Sequence, residues 1–163
     1  MFYVKVPAYM RDDNLRLRPL SIFDGHFIRS GFEDEAVLQA IGMRKPLCLS
    51  WFSLWRWIRK TYSCSFCLEL DSRPIGFIGL YNLTPRKSAE ISLVIFDNTL
   101  RQKGHGTRAF KLLKEGLQKH SVIRNIQAKV KTDNYGACSF WEKIGFVKIG
   151  VKDDIVIMSM NLI

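Results

Sequence analysis

The stretch from Ala89 to Thr107, AEISLVIFDNTLRQKGHGT, constrains the chain most, because an apolar run breaks there into a basic, glycine-punctuated turn and then a helical pattern. Ile91, Leu93, Val94, Ile95 and Phe96 lack the clean alternation of a half-exposed strand, which predicts a central strand buried on both faces. Arg101, Gln102, Lys103, Gly104, His105, Gly106 and Thr107 follow at a helix start. There the first backbone N–H groups lack carbonyl partners and carry the positive end of the helix dipole. Gly104 and Gly106 leave that backbone open to an atom as bulky as a phosphate oxygen, so the turn reads as an anion cradle. The spacing is neither that of a nucleotide P-loop nor that of a dinucleotide fold. A glycine pair behind a strand also serves as a plain tight turn, and a second motif has to decide.

That motif lies in VKTDNYGACSFWEKIGF, Val130 to Phe146. Ala137, Phe140, Trp141 and Ile144 recur at i, i+3, i+4 and i+7, one apolar face of a short helix that stops at Gly145. Arg101-x-x-Gly104-x-Gly106 resembles the pyrophosphate loop of the GCN5-related N-acetyltransferases. Asn134, Ala137, Phe140, Lys143, Gly145 and Phe146 resemble that family's second motif, and the interval between the two has room for one helix and one strand. The opening Leu17-Arg18-Pro19-Leu20, with Asp24 at a helix start, resembles the RimJ/RimL-like branch.

The resemblance implies an N-acetyltransferase that takes acetyl-CoA as donor and an amine as acceptor: a protein N-terminus, a small amine or an amino sugar. It implies that the backbone of Val94, Ile95 and Phe96 holds the pantetheine arm, that Gln102 to Thr107 take the pyrophosphate, and that the Asn134 side chain bonds the pantetheine side of the cofactor. Arg101 fits the motif and also suits the geometry of the turn. Counting back from Gly104 and Arg101 without a gap aligns Glu90 with the catalytic Glu of the family's histone acetyltransferases, which implies a general base, although a Glu at a strand start also pairs readily with a Lys. A backbone N–H near Val94 is the expected oxyanion donor. Trp141 stands where many relatives carry a Tyr that protonates the departing thiolate, and an indole N–H is too weak an acid for that. Core packing or a wall of the cofactor pocket is its plainer reading. A binding module that holds acyl-CoA without catalysis is the alternative.

Other segments fill in an α/β fold on one domain spanning residues 1–163. Asn14 to Leu20 predicts a first strand, His26 to Ser30 and Glu33 to Ile41 helical pieces, and Ser65 to Leu70 and Ile75 to Leu83 a hairpin around Asp71 to Pro74. Thr84 to Ser88 reads as a turn, Thr107 to His120 as an amphipathic helix, Ile126 to Val130 as a strand parallel to the central one, and Phe146 to Gly150 with Ile155 to Ile163 as a closing pair. The result is a mostly antiparallel mixed sheet with helices on both faces. The resemblance adds that the parallel strand pair splays apart to admit the cofactor. Ser50 caps a helix whose core stripe is Trp51, Leu54, Trp55 and Ile58. Phe52 and Trp57 fall off the stripe and read either as residues covered by a neighbour or as the wall of an apolar acceptor pocket.

The sequence carries 25 Lys and Arg against 15 Asp and Glu, a net charge of +10. The surplus suits coenzyme A, with its phosphates; scattered charge and the lack of nucleic-acid signatures rank nucleic acid below it. Cys64-x-x-Cys67 falls on a predicted strand, where residues three apart face opposite ways, so no metal site follows from it, and Cys48 and Cys138 are isolated. No apolar run approaches the roughly 18 residues of a membrane span, and the N-terminus lacks a signal-peptide pattern, so a cytoplasmic protein is expected. A homodimer stays open.

Overall fold

The structure is a computed structural model and describes residues 4–40, 50–84 and 87–163. Among them a single eight-stranded sheet organises the chain, in the order β1-β2-β3-β4-β5-β6-β8-β7. The strands are β1 (Met10–Asp12), β2 (Leu15–Pro19), β3 (Tyr62–Leu70), β4 (Arg73–Tyr81), β5 (Ser88–Ile95), β6 (Asn125–Lys131), β7 (Val147–Lys152) and β8 (Ile155–Asn161). The helices are α1 (Gly25–Glu33), α2 (Glu35–Ala40), α3 (Trp51–Thr61), α4 (His105–His120) and α5 (Tyr135–Lys143). β5 and β6 run parallel and every other neighbouring pair is antiparallel, as the crossover through α4 demands.

Side-chain alternation divides the core between the two faces of the sheet. Leu15, Leu17, Ile91 and Ile126 pack with Leu113 and Leu117 of α4 and Trp141 of α5. Val94 and Phe77 pack on the opposite face with Ile28 and Phe32 of α1 and Leu54 and Ile58 of α3. β5 is therefore buried on both sides, as its unbroken apolar run predicts. Leu113 is fully enclosed, and truncating it to Ala should cost about 2–5 kcal/mol.

Turn chemistry moves several boundaries. The β3–β4 loop is the two residues Asp71 and Ser72, both left-handed at φ 50° and 63°, which suits a hairpin whose strands twist together. Arg73 and Pro74, expected in the turn, begin β4 instead. β1 escapes the periodicity because three residues carry no usable period. On α3 the core stripe is narrower at Trp55, which is half-buried, and wider at Trp57, which joins the core around Phe32. Ile41, Cys48, part of the Thr84 to Ser88 turn and the Trp51 side chain lie outside the described residues.

Candidate active site

The cradle is built by backbone. After β5 a short 3-10 turn, Asn98–Leu100, leads to Arg101, whose Nε donates to the Ile95 carbonyl at 2.8 Å. Gln102 and Gly104 are left-handed, at φ 59° and 84°, and Gly104 is the N-cap of α4. Backbone of alternating hand turns successive N–H groups toward one side and makes an anion-binding concavity. The first N–H of α4 with a partner is that of Arg108, which donates to the Gly104 carbonyl at 3.0 Å. The N–H groups from Gln102 to Thr107 donate to no acceptor among the described residues. Gly106 serves a second purpose: a Cβ there would meet the Phe140 ring at 3.3 Å and Leu93 at 3.7 Å, so the glycine lets α4 close on α5. His105 is half-buried with its Nδ1 enclosed and unpartnered; burial, then Arg108 and Lys103, hold the imidazole below its usual pKa.

The gap lies beside this cradle. β5 and β6 pair only at Ser88↔Asn125, Ala89↔Ile126 and Glu90↔Gln127, whereas β5 stays paired with β4 as far as Ile95. The Phe96 N–H donates to the Ile75 carbonyl on the β4 side at 2.9 Å. Alternation then turns the N–H groups of Val94 and Ser92 to β4 as well, and those of Leu93 and Ile95 toward the gap. The backbone donors of Val94 and Phe96 are thus committed to the sheet, and those of Leu93 and Ile95 are the ones turned to the opening. The Ile95 carbonyl is taken by Arg101, which leaves two N–H groups facing the opening.

Glu90 is the last residue paired before the strands part, and its side chain lies on the face of α1 and α3, opposite α4. Tyr81 stands directly across from it on β4. Burial raises the Tyr81 pKa, and the Glu90 charge raises it further, so its phenol stays protonated. Next to them Tyr62 donates its hydroxyl to Ser92 Oγ at 3.1 Å. Glu90 also has the Lys partner that the plainer reading of a strand-start Glu anticipates: Lys129 Nζ lies 2.7 Å from Oε1, with side chains 43% and 15% exposed. Phe96 closes the far end of this face, its ring centroid 4.9 Å from Phe27 and its ring packed against Gly31, where a Cβ would meet it at 2.6 Å.

The model of the acetyltransferase (GNAT) family matches residues 33–146, a span that contains the cradle, the gap and the second motif. The chain belongs to that family. Among solved structures, spermidine N-acetyltransferase from Vibrio cholerae, in complex with CoA and spermine, superposes with a TM-score of 0.80 at 20% identity, over 93% of this chain and 97% of that one. A probable acetyltransferase of the family from Chromobacterium violaceum gives 0.80 at 20%, over 99% and 90%. RimL, a ribosomal alpha-N-protein acetyltransferase in complex with coenzyme A, gives 0.77 at 14%, over 96% and 97%. A sequence comparison with curated proteins found no match. This GNAT chain is accordingly an acetyltransferase that uses acetyl-CoA, on a fold shared with these structures.

The remaining site residues of this GNAT domain divide clearly. Asn134 is the N-cap of α5, its Oδ1 accepting from the Ala137 N–H at 3.1 Å, and its amide nitrogen has no hydrogen-bond partner among the described residues. Trp141 is buried among Phe110, Phe140 and Phe146, with centroids 6.0, 5.0 and 4.7 Å away, and packs as core. Of the nearby groups, Tyr135 is 80% exposed, and burial raises the Cys138 thiol. Trp57 meets Phe32 and Tyr62 edge-on at 6.5 and 6.3 Å, and Tyr62 in turn meets Tyr81, the residue across from Glu90, at 5.4 Å. Phe52 points outward at 60% exposure under Arg56, and with Trp57 it lines a shallow groove of about 530 Å³ whose lining among the described residues comes from α3. Phe52 is thus not brought to the gap. Burial pushes the Cys64 and Cys67 thiols up to about 12, and the described residues contain no cluster of three or more His, Cys, Asp or Glu able to hold a metal. No helix among them is long and apolar enough to cross a membrane.

Sequence reasoning missed Leu93, Tyr81, Tyr62, Ser92 and Lys129. Tyr81 and Lys129 follow from strand parity only once the register is known, and the sequence carries no mark of register. The choice of Leu93 over Val94 likewise depends on which residue of β4 faces which of β5.

Proposed function

We propose that this protein acetylates a primary amine, on a protein N-terminus, a small amine or an amino sugar, by direct attack within the β5–β6 gap. The observation that carries the reading is the placement of Glu90 at the point of parting, on the face opposite the cradle, so that cofactor and acceptor approach from different sides. The unpartnered N–H groups from Gln102 to Thr107 fit a pyrophosphate, and Asn134 faces the same arm. Acetyl-CoA supplies the activated acetyl thioester.

Glu90 takes the proton from the acceptor's ammonium, since a protonated amine has no lone pair with which to attack. The Leu93 and Ile95 N–H groups, fixed by the sheet and aimed into the gap, stabilise the oxygen on which negative charge develops. Tyr81 and the Tyr62–Ser92 pair orient the carboxylate's side of the cleft. With Trp141 in the core, protein supplies no acid at that place, and a thiol with a reference pKa of about 8.5 leaves tolerably as thiolate near neutrality. The Leu17 to Asp24 start supports a place near the RimJ/RimL-like branch, and free thiols at Cys64, Cys67 and Cys138 suit a reducing, cytoplasmic setting.

Glu90→Gln tests the reading. Turnover in a thiol-release assay should fall about a hundredfold or more near neutrality with acetyl-CoA affinity unchanged, and alkaline pH should partly restore it. Unchanged rates would remove Glu90 from the chemistry, and no release with any amine would leave an acyl-CoA-binding module.

A further inference from the structure

Lys129 is the residue at the site that the two motifs leave unexplained. Gln127, in the last pair that joins the two strands, is followed along β6 on the face that Glu90 shares by Lys129 and Lys131, both past that pair. From there Lys129 leans back over the opening to Glu90, Nζ to Oε1 2.7 Å. α2 covers β5 and β6 on this side. An acceptor ammonium seeks the same carboxylate oxygens as Lys129, and two cations on one carboxylate leave an uncompensated positive charge, so the acceptor must take the place of Lys129.

What meets the displaced lysine decides the kind of acceptor. Across the sheet Lys129 faces Ile157 and Lys131 faces Ile155, neither of which supplies a counter-charge. Among the described residues Lys131 has no ion pair. Of the acids where α1 meets α2, Glu33 pairs with Arg29 at 3.4 Å, Asp34 accepts the Val37 N–H at 3.3 Å, and Glu35 begins α2. We propose that Lys129 and Lys131 form an anion subsite, and that the preferred acceptor is an amine bearing its own carboxylate within a few bonds. Its ammonium takes the place of Lys129 at Glu90, and its carboxylate meets the two lysines. A free amino acid and a peptide with an acidic residue next to its N-terminus share this chemistry, whereas a polyamine opposes it.

The inference rests on the Glu90 reading, and the test separates the two. Wild-type protein is assayed with acceptors that differ by one carboxylate: phenylalanine against phenethylamine, a Ser-Asp amide against a Ser-Asn amide, and spermidine. The acid member of at least one pair should be favoured about tenfold in kcat/KM, mainly through KM, and which pair responds identifies the source. Lys129→Met should bring that ratio near one, Lys129→Arg should keep it, and Lys129→Glu should shift preference toward spermidine. A ratio near one in the wild type, or one that survives Lys129→Met, overturns the subsite. If the wild type acetylates nothing in the panel, the amine-transfer reading fails and calorimetry with the same compounds, without acetyl-CoA, decides the subsite. Tighter binding of the acid member that is lost about tenfold in Lys129→Met supports it, and equal binding overturns it.

Discussion

Arg101 donates from Nε to the Ile95 carbonyl oxygen at 2.8 Å, tying the first residue of the cradle to the last residue of β5. The bond holds the left-handed Gln102 turn where its N–H groups face the gap's edge. Arg101→Ala should therefore do two things at once. It should destabilise the domain by about 1.5–3 kcal/mol, the range for a hydrogen bond to a charged group, and it should weaken acetyl-CoA binding. Urea denaturation and calorimetry measure the two effects; intact affinity would mean that the cradle keeps its shape without the bond.

A second ionic device lies at the start of the chain. Glu69 accepts from Arg16 Nε at 2.8 Å and Arg18 Nε at 2.6 Å, and Arg18 also grips Asp24 at 2.7 and 2.8 Å. Burial alone would raise both carboxyl groups, but the arginine hydrogen bonds and charges, joined at Asp24 by the Ser21 N–H, together outweigh it and hold both below their usual values. Carboxylates depressed in the folded state stabilise it above their unfolded pKa values of about 3.9 and 4.3, and that contribution drains away as pH falls through the folded ones. Arg18→Met should cost about 3–5 kcal/mol at pH 7, because two carboxylates 6% exposed lose a partner. The difference from wild type in urea denaturation should hold from pH 7 to about pH 5 and shrink as pH falls below about 4 through the lowered folded values; a difference that stays constant in that acid range would contradict it.

That network also explains what the sequence could reveal. Leu17-Arg18-Pro19-Leu20 and Asp24 were readable as a pattern because Arg18 needs Asp24 at a fixed place, six residues on, at the end of the Ile22–Asp24 turn, where its carboxylate also accepts the Ser21 N–H. The cradle was readable for the same reason, since Gly104 must be left-handed and Gly106 must admit Phe140. Chemistry fixed by register was not. Lys129 meets Glu90 only because β6 pairs with β5 at Gln127, and a shift of one residue would send it to the other face. Trp57 stayed open between a covered residue and a pocket wall because its cover, Phe32, comes from a helix distant in sequence.

His105 gives the cradle a proton signature. Its pKa is lowered by burial and by Arg108 and Lys103, and a bound pyrophosphate opposes the two cations. Acetyl-CoA binding should take up a fraction of a proton at pH values below the ordinary imidazole value of about 6.5. Calorimetric heats in two buffers of different ionisation enthalpy should then differ in that range and agree in His105→Gln. Heats that are buffer-independent in the wild type would remove His105 from the binding electrostatics.

Trp141 carries a test of its own. Its ring is 5% exposed among three phenylalanines, so Trp141→Ala should cost about 3–5 kcal/mol. Trp141→Tyr should not speed thiol release, since the new hydroxyl would enter the core rather than the gap. A clear rate increase in that variant would show that this position reaches the leaving group.

The central claim is that the cofactor lies between the cradle and the parted strands, and backbone amide resonances followed during an acetyl-CoA titration test it most directly. The largest shifts should fall on Gln102 to Thr107 and on Leu93 and Ile95, whose N–H groups have no partner in the sheet, with little change along α3 from Arg56 to Lys60. Shifts confined to the α3 groove, or none at millimolar ligand, would contradict it.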